Sequence, residues 1–150
     1  MAIDYFPIDI PAAKVPLTII SGPPGAGKTT SIKGKRTDGT LVIDFAEIKA
    51  RVSGLPLYVA GDDYLEAAIA ERNRMLKSIN DYESAFFITN APQYPIRKHW
   101  NDMLQPDTYN VLLTEADVCL DRIAKDPTRA VKSMEFWARL VNHWWDNYTT

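Results

Sequence analysis

The chain has 150 residues, a net charge of −2 and a pI near 5.7, with 46% hydrophobic and 24% charged residues, which suits one domain with a buried core. The acidic balance excludes a surface that holds nucleic acid mainly by charge and leaves room only for a local basic groove. A single cysteine excludes an intrachain disulfide, and no stretch is long and apolar enough to span a bilayer.

The opening segment MAIDYFPIDIPAAK has an early acid and no basic start before an apolar run, so it lacks the form of a secretory leader. Residues 1–15, interrupted by prolines, read as an arm packed on the domain, and a cytoplasmic location is expected. PLTIIS (16–21) reads as a short apolar strand that runs into Gly22, Pro23, Pro24 and Gly25. A short helix follows from Gly27 to about Lys33, ended by Gly34 and a polar run. LVID (41–44) is a second strand. Asp44 and Glu47 have the spacing of a capping box at the next helix, which Gly54 ends. A longer helix is predicted from Asp63 to about Asn80, with Asp63 and Glu66 as its capping pair.

AFFIT (85–89) is the third strand. Pro95 can start the helix that carries Arg97 and Trp100. YNVLL (109–113) is the fourth strand, with Thr114 and Asp117 capping the helix behind it. Asp126-Pro127 breaks that helix and opens a polar loop. The last helix, about 134–148, puts Trp137, Leu140, Val141, Trp144, Trp145 and Tyr148 on one broad face, an aromatic stripe that reads as core. Cys119 reads as a small buried residue, and His99 and His143 share no metal-ligand spacing. Short apolar strands alternating with helices predict an α/β fold of three layers, a parallel sheet of about four strands with helices on both faces.

One motif carries specific chemistry. Gly22-Pro23-Pro24-Gly25-Ala26-Gly27-Lys28-Thr29 fits G-x-x-x-x-G-K-[ST]. Its glycines let successive N–H groups turn toward phosphate oxygens, and the helix start adds the positive end of its dipole. Lys28 supplies a compact charge for the β and γ phosphates, and the Thr29 hydroxyl can ligate Mg²⁺; Thr30 follows in the same turn. A chance match in a chain this long is expected on the order of once in a few hundred sequences, and the preceding strand and following helix lower that further. The loop thus predicts a nucleoside triphosphate as ligand. ATP with Mg²⁺ is the default, because no N-K-x-D base-reading motif is present.

The order SGPPGAGKTT, VIDFAEI, FFITNAP, VLLTEADVCLDRIAKDPTR resembles the small P-loop kinases, most of all the polynucleotide-kinase-like and zeta-toxin-like branch, from about Pro16 to Tyr148. The runs IDFAEIKARVSGLPLY and AERNRML also look like small ATP-binding proteins of tailed bacteriophages, which implies the cytoplasm of a bacterium or a phage-infected host. The resemblance implies that Asp44 is a general base on an acceptor hydroxyl or organises Mg²⁺. It further implies that a late lid, residues 125–133, brings arginines to the phosphates. The residues alone also allow Asp44 to be a helix cap. At the carboxyl end of its strand, it would lie beside the P-loop strand in a strand order of 2-3-1-4 or 3-2-1-4.

The lid arginines are Arg122, in a last helical turn where a cation is favoured anyway, and Arg129, in the polar loop. On the 63–80 helix, about 100° per residue puts Arg72 amid Leu65, Ala68, Ile69, Met75, Leu76 and Ile79. A cation there is paired or snorkels, or it points into the acceptor cleft and holds an anionic substrate. Asn90, with Thr89, ends the third strand and can face the γ-phosphate or the attacking group. The leading reading is a kinase that moves the ATP γ-phosphoryl to a hydroxyl of a nucleic-acid 5′ end, a nucleotide or nucleoside, or a small metabolite, and the resemblance implies a polynucleotide 5′ end or a nucleotide. The alternatives are a non-kinase ATPase or ATP-dependent partner in phage DNA processing, and a degenerate nucleotide-binding scaffold. The absence of an acid at the end of the third strand favours the kinase, and intact Lys28 and Thr29 oppose the scaffold.

Overall fold

The structure, a computed structural model, describes residues 6, 7 and 9–150; the rest of the expected arm lies outside the described residues. Four strands, β1 (Leu17–Ser21), β2 (Thr40–Asp44), β3 (Ser84–Thr89) and β4 (Thr108–Val111), form one sheet in the order β2-β3-β1-β4. All neighbours are parallel. The helices are α1 (Lys28–Ser31), α2 (Phe45–Ser53), α3 (Leu65–Lys77), α4 (Tyr94–Leu104), α5 (Ala116–Ala124) and α6 (Met134–Asn147). This is the predicted α/β architecture.

Strand side chains alternate between faces. Leu17, Ile19, Leu41, Ile43, Ala85 and Phe87 face α2, α3 and α4, where Ile48, Leu76, Trp100 and Leu104 complete the main core. Ile20, Val42 and Ile88 face the other way and meet Ile32 behind the phosphate loop. There α5 and α6 build a second core from Ala26, Cys119, Ile123, Trp137 and Val141, and Leu112 touches both groups. The arm residues Phe6, Ile10, Ala13 and Val15 pack on the main core, and the Ala13 N–H donates to the Leu104 carbonyl at 2.8 Å.

Several boundaries differ from the sequence expectation. The long helix begins at Leu65 after a 3₁₀ turn over Asp62–Tyr64 and ends at Lys77, so Asp63 and Glu66 form no capping box. The fourth strand is the half-exposed edge Thr108–Val111, because an edge strand need not be apolar on both faces. Thr114 does not cap α5. Its hydroxyl donates instead to the Ala26 carbonyl at 3.0 Å, and Glu115 takes the cap position without a side-chain bond. By contrast Asp44 caps α2, accepting the Ala46 N–H at 3.0 Å.

Of the expected α6 stripe, Trp137, Val141 and Trp144 are core, Trp145 and Tyr148 are half-buried and Leu140 is exposed; the stripe has a second role at its polar edges. Each of three indole N–H groups donates to the carbonyl of a different loop: Trp137 to Arg129 at 2.8 Å, Trp144 to Asn90 at 2.6 Å and Trp145 to Thr114 at 3.1 Å. One helix thereby holds the segments after β3, β4 and α5, all at the carboxyl end of the sheet. Trp144→Phe keeps the packing but leaves a carbonyl without its donor, so it should lower stability by about 1–3 kcal/mol, measured by chemical denaturation.

Candidate nucleotide-binding cleft

The segment Gly22–Thr29 wraps from the end of β1 to the start of α1. Gly25 and Gly27 take left-handed φ values of 78° and 102°, which side chains other than glycine adopt at a cost. Gly25 also has no room for a side chain: a Cβ there would lie 2.7 Å from the Cys119 carbonyl oxygen. The loop is therefore tight against α5 on one side and open on the other. Gly25→Ala should both destabilise the fold and abolish ATP binding, read by thermal unfolding with and without Mg-ATP. A stable variant with intact ATP affinity would contradict this packing account.

The Ala26 carbonyl is held from behind by two donors, the Thr114 hydroxyl and Arg122 Nη1 at 2.9 Å. As at any helix start, the first N–H groups of α1 have no intrahelical acceptor, and the residues that carry them line the cleft. Lys28 folds back on the loop. Its Nζ donates to the Gly22 carbonyl at 2.6 Å, the Pro23 carbonyl at 2.9 Å and Asn90 Oδ1 at 3.2 Å. Burial, reinforced by the charge of Arg129, lowers the Lys28 pKa to about 7.

A cleft of about 810 Å³ opens over this loop, within the usual size range of small-molecule sites. It is lined by residues 25–31 of the loop and α1, by Arg122, Asp126, Thr128 and Arg129 of α5 and the segment after it, and by Asp44, Glu47, Leu57 and Tyr58, with Arg129 directly against Tyr58. Asp44 is 8% exposed. Burial raises its pKa, Glu47 adds to the rise, and the N–H groups of Ala46 and Glu47 with Lys28 oppose it. The observed order is one of the two considered from the sequence, 2-3-1-4, but it leaves β3 between β2 and β1, so Asp44 is not beside the P-loop strand as expected; it stands about two strand spacings, ~10 Å, away. It faces the loop across the cleft, room that a transferring phosphoryl group and its acceptor need.

Arg129 lies with its guanidinium over the rings of Tyr58 at 4.5 Å and Trp137 at 4.8 Å, and its Nε is 3.5 Å from Asp126 Oδ2. Asp126 caps the 3₁₀ turn Pro127–Val131 by accepting the Thr128 N–H. The cleft thus collects Lys28, Thr29, Thr30, Asp44, Arg122 and Arg129, and Asn90 joins it through Lys28. Arg72 is not among the lining residues: its guanidinium is 5.1 Å from the centre of the Trp100 ring and bonds Asn73 Oδ1. A cation on an apolar helical face meets an aromatic face there, which attracts it.

Sequence reasoning missed Leu57 and Tyr58 as lining residues and saw Glu47 only as a cap partner. The available signal was an apolar pair inside a segment bounded by Gly54 and Gly61, since apolar residues in a surface loop need something to cover them. Arg97 also proved structural. It donates to the carbonyls of Ala91, Pro92 and Thr149, fixing the turn that carries Asn90.

The donor set fits a magnesium-bound triphosphate. Among the described residues no cluster of three or more His, Cys, Asp or Glu side chains could hold a metal alone. Mg²⁺ commonly relies on one or two protein oxygens together with phosphate oxygens and water, and the Thr29 hydroxyl and Asp44 carboxylate both line the cleft.

Comparison with protein-family models and with curated protein sequences finds no match. Solved structures do match. A shikimate kinase from Acinetobacter baumannii in complex with shikimate aligns with a TM-score of 0.56 and 18% identity, over 89% of this chain and 75% of that one. A shikimate kinase from Bacteroides thetaiotaomicron aligns with a TM-score of 0.55 and 20% identity, over 87% of this chain and 78% of that one. The chain has the P-loop kinase-like fold. No helix among the described residues is long and apolar enough to cross a membrane.

Proposed function

We propose that this protein is an ATP-dependent phosphotransferase that moves the γ-phosphoryl group of ATP to an acceptor hydroxyl. The observation that carries the reading is the convergence of Lys28, a buried carboxylate at Asp44 and the arginines Arg122 and Arg129 on one cleft. Phosphoryl transfer depends on positioning and charge stabilisation, and these residues supply both. Residues 22–30 cradle the phosphates. Lys28, released from its own loop carbonyls, neutralises the β and γ oxygens, while Arg122 and Arg129 cover the γ-phosphate from the other wall, with residues 125–133 as the lid.

Thr29 would hold Mg²⁺ together with phosphate oxygens and water, and the ion when bound offsets phosphate charge. Asp44 accepts the proton of the attacking hydroxyl. A raised pKa keeps a carboxylate within range of such a transfer, and the cap bond to Ala46 fixes its orientation. The strand end Thr89-Asn90 offers no acid to activate water, which favours transfer over hydrolysis. The resemblance to the polynucleotide-kinase-like branch supports a polynucleotide 5′ end or a nucleotide as acceptor, in a bacterial or phage-infected cytoplasm.

Incubation with γ-labelled Mg-ATP and a panel of hydroxyl acceptors tests the reading, with Lys28→Met as control. Label on an organic acceptor supports it. Release as inorganic phosphate alone would make the protein an ATPase, and bound but unconsumed ATP would make it a scaffold.

A further inference from the structure

Tyr58 has a backbone conformation that its side chain should avoid. The Val59 N–H donates to the Pro56 carbonyl at 3.1 Å, closing a turn with Tyr58 at its third position. The φ of Tyr58 is 69°, in the left-handed region where such a turn ordinarily places glycine or asparagine and where other side chains strain the backbone. Strain of this kind persists only where the surroundings impose it, and it gathers at functional sites. What the ring meets supplies a reason. The Arg129 guanidinium carbon lies 4.5 Å from the centre of the Tyr58 ring and 4.8 Å from that of Trp137, and the two rings meet edge to face at 5.3 Å and 87°.

Further contacts limit how far Arg129 can move. The Trp137 indole N–H holds its carbonyl at 2.8 Å, its own N–H donates to the Asp126 carbonyl at 3.1 Å, and its Nε faces Asp126 Oδ2 at 3.5 Å. Its two terminal nitrogens donate to none of the described residues, which leaves those donors for an anion. The charge is felt at the phosphate loop: after burial, Arg129 is the largest cause of the lowered Lys28 pKa. Lys28, Tyr58 and Arg129 line the same cleft.

We propose that Tyr58 is a positioning residue: with Trp137 it holds the Arg129 guanidinium in the place from which it stabilises the transferring phosphoryl group. The inference rests on the phosphotransferase reading and adds to it a residue outside the phosphate loop and the 125–133 lid. A guanidinium on a long flexible stem gains from such a seat, because a donor fixed in advance need not be reordered as charge develops. A displacement of about 1 Å can cost about 10²-fold in rate. The seat requires an aromatic face, since the ring quadrupole is what attracts the cation. One ring thereby couples the Pro56–Val59 turn to the lid.

The experiment compares the parent with Tyr58→Phe, Tyr58→Leu and Arg129→Ala as full-length proteins. The probes are γ-labelled Mg-ATP and two acceptors, a 5′-hydroxyl oligodeoxynucleotide and uridine 3′-monophosphate. Tyr58→Leu keeps an apolar side chain but loses the ring, so kcat should fall about 10–10²-fold with the KM for ATP within about threefold. Tyr58→Phe keeps the ring and should retain the rate within about threefold. Arg129→Ala should lower kcat by about 10²–10³-fold. Tyr58→Leu added to Arg129→Ala should lower it no further, whereas a general loss of packing would add its own cost. Tyr58→Asn, which suits the left-handed φ, is the second ringless variant should Tyr58→Leu fold poorly by circular dichroism. An unchanged kcat in a folded ringless variant, or a loss that persists undiminished beside Arg129→Ala, overturns the inference and leaves the phosphotransferase reading standing. Label on neither acceptor, with ATP binding verified by equilibrium dialysis, overturns the phosphotransferase reading and this inference with it.

Discussion

Asp44→Asn should lower phosphoryl transfer by about 10²–10⁴-fold, the usual contribution of a positioned general base, while the fold persists. The substitution separates the two roles that Asp44 combines. As a cap, its side-chain oxygen accepts the Ala46 N–H, and asparagine caps a helix about as well as aspartate. As a base, it needs a carboxylate, which asparagine lacks. Retained turnover in Asp44→Asn would leave only the cap. Burial and Glu47 hold the Asp44 pKa above the ordinary carboxylate range. Two consequences have definite signs. The acid limb of the kcat profile should sit above that range, because the base must be ionised. The folded state also binds a proton more readily than the unfolded chain there, so the ionised carboxylate destabilises the fold once pH exceeds its folded pKa. Asp44→Asn should therefore unfold at or above the parent's temperature at pH 7, and a marked drop would contradict the burial argument.

Lys28→Met should lower turnover by about 10²–10³-fold, the effect of removing one preorganised donor from a developing charge. Methionine keeps the length of the stem, so packing is little disturbed. The lysine also makes a pH signature. Its pKa near 7 in the free protein, against an ordinary 10.5, means that part of the population is neutral at neutral pH. Phosphates favour the charged form, so ATP binding draws a proton onto Lys28. ATP affinity should fall about tenfold between pH 6 and pH 8 by that linkage, with net proton uptake at pH 8 seen calorimetrically in buffers of different ionisation enthalpy. Lys28→Met, compared at matched pH to remove the titration of ATP itself, should lose this dependence. Stability moves the other way. Between pH 7 and 10.5 the unfolded chain binds the proton that folded Lys28 has shed, so this group favours the apo fold increasingly as pH rises through that window. A flat stability difference between parent and Lys28→Met across it would show that Lys28 stays charged.

Both side chains are legible in the amino-acid order, for unequal reasons. Lys28 stands in a motif whose geometry is local: glycines at set spacing adopt left-handed φ values that strain other residues, and the lysine follows at the helix start. Asp44 is legible as the acid at a strand end, but its distance from the loop is not. That distance depends on β3 inserting between β1 and β2, a choice made by the apolar faces of whole strands and not by residues near position 44. Arg129 stands out by its position after Asp126-Pro127, whereas its seat between Tyr58 and Trp137 joins three segments far apart in the chain. Arg72 shows the limit of a helical wheel. The wheel places it on the buried face, where it is, and cannot say that Trp100 lies opposite.

The amino-acid order by itself determined the phosphate loop, the alternation of strands and helices, and Asp44 as the cap of α2, because each follows from backbone freedom, periodicity or hydrogen bonds within a few residues. Tertiary structure alone decided between the two strand orders, the seat of Arg72 over Trp100, the seat of Arg129 over Tyr58 and Trp137, and the entry of Leu57, Tyr58 and Glu47 into the cleft lining. Those depend on which distant surfaces bury each other, and burial is settled only when the whole chain has packed.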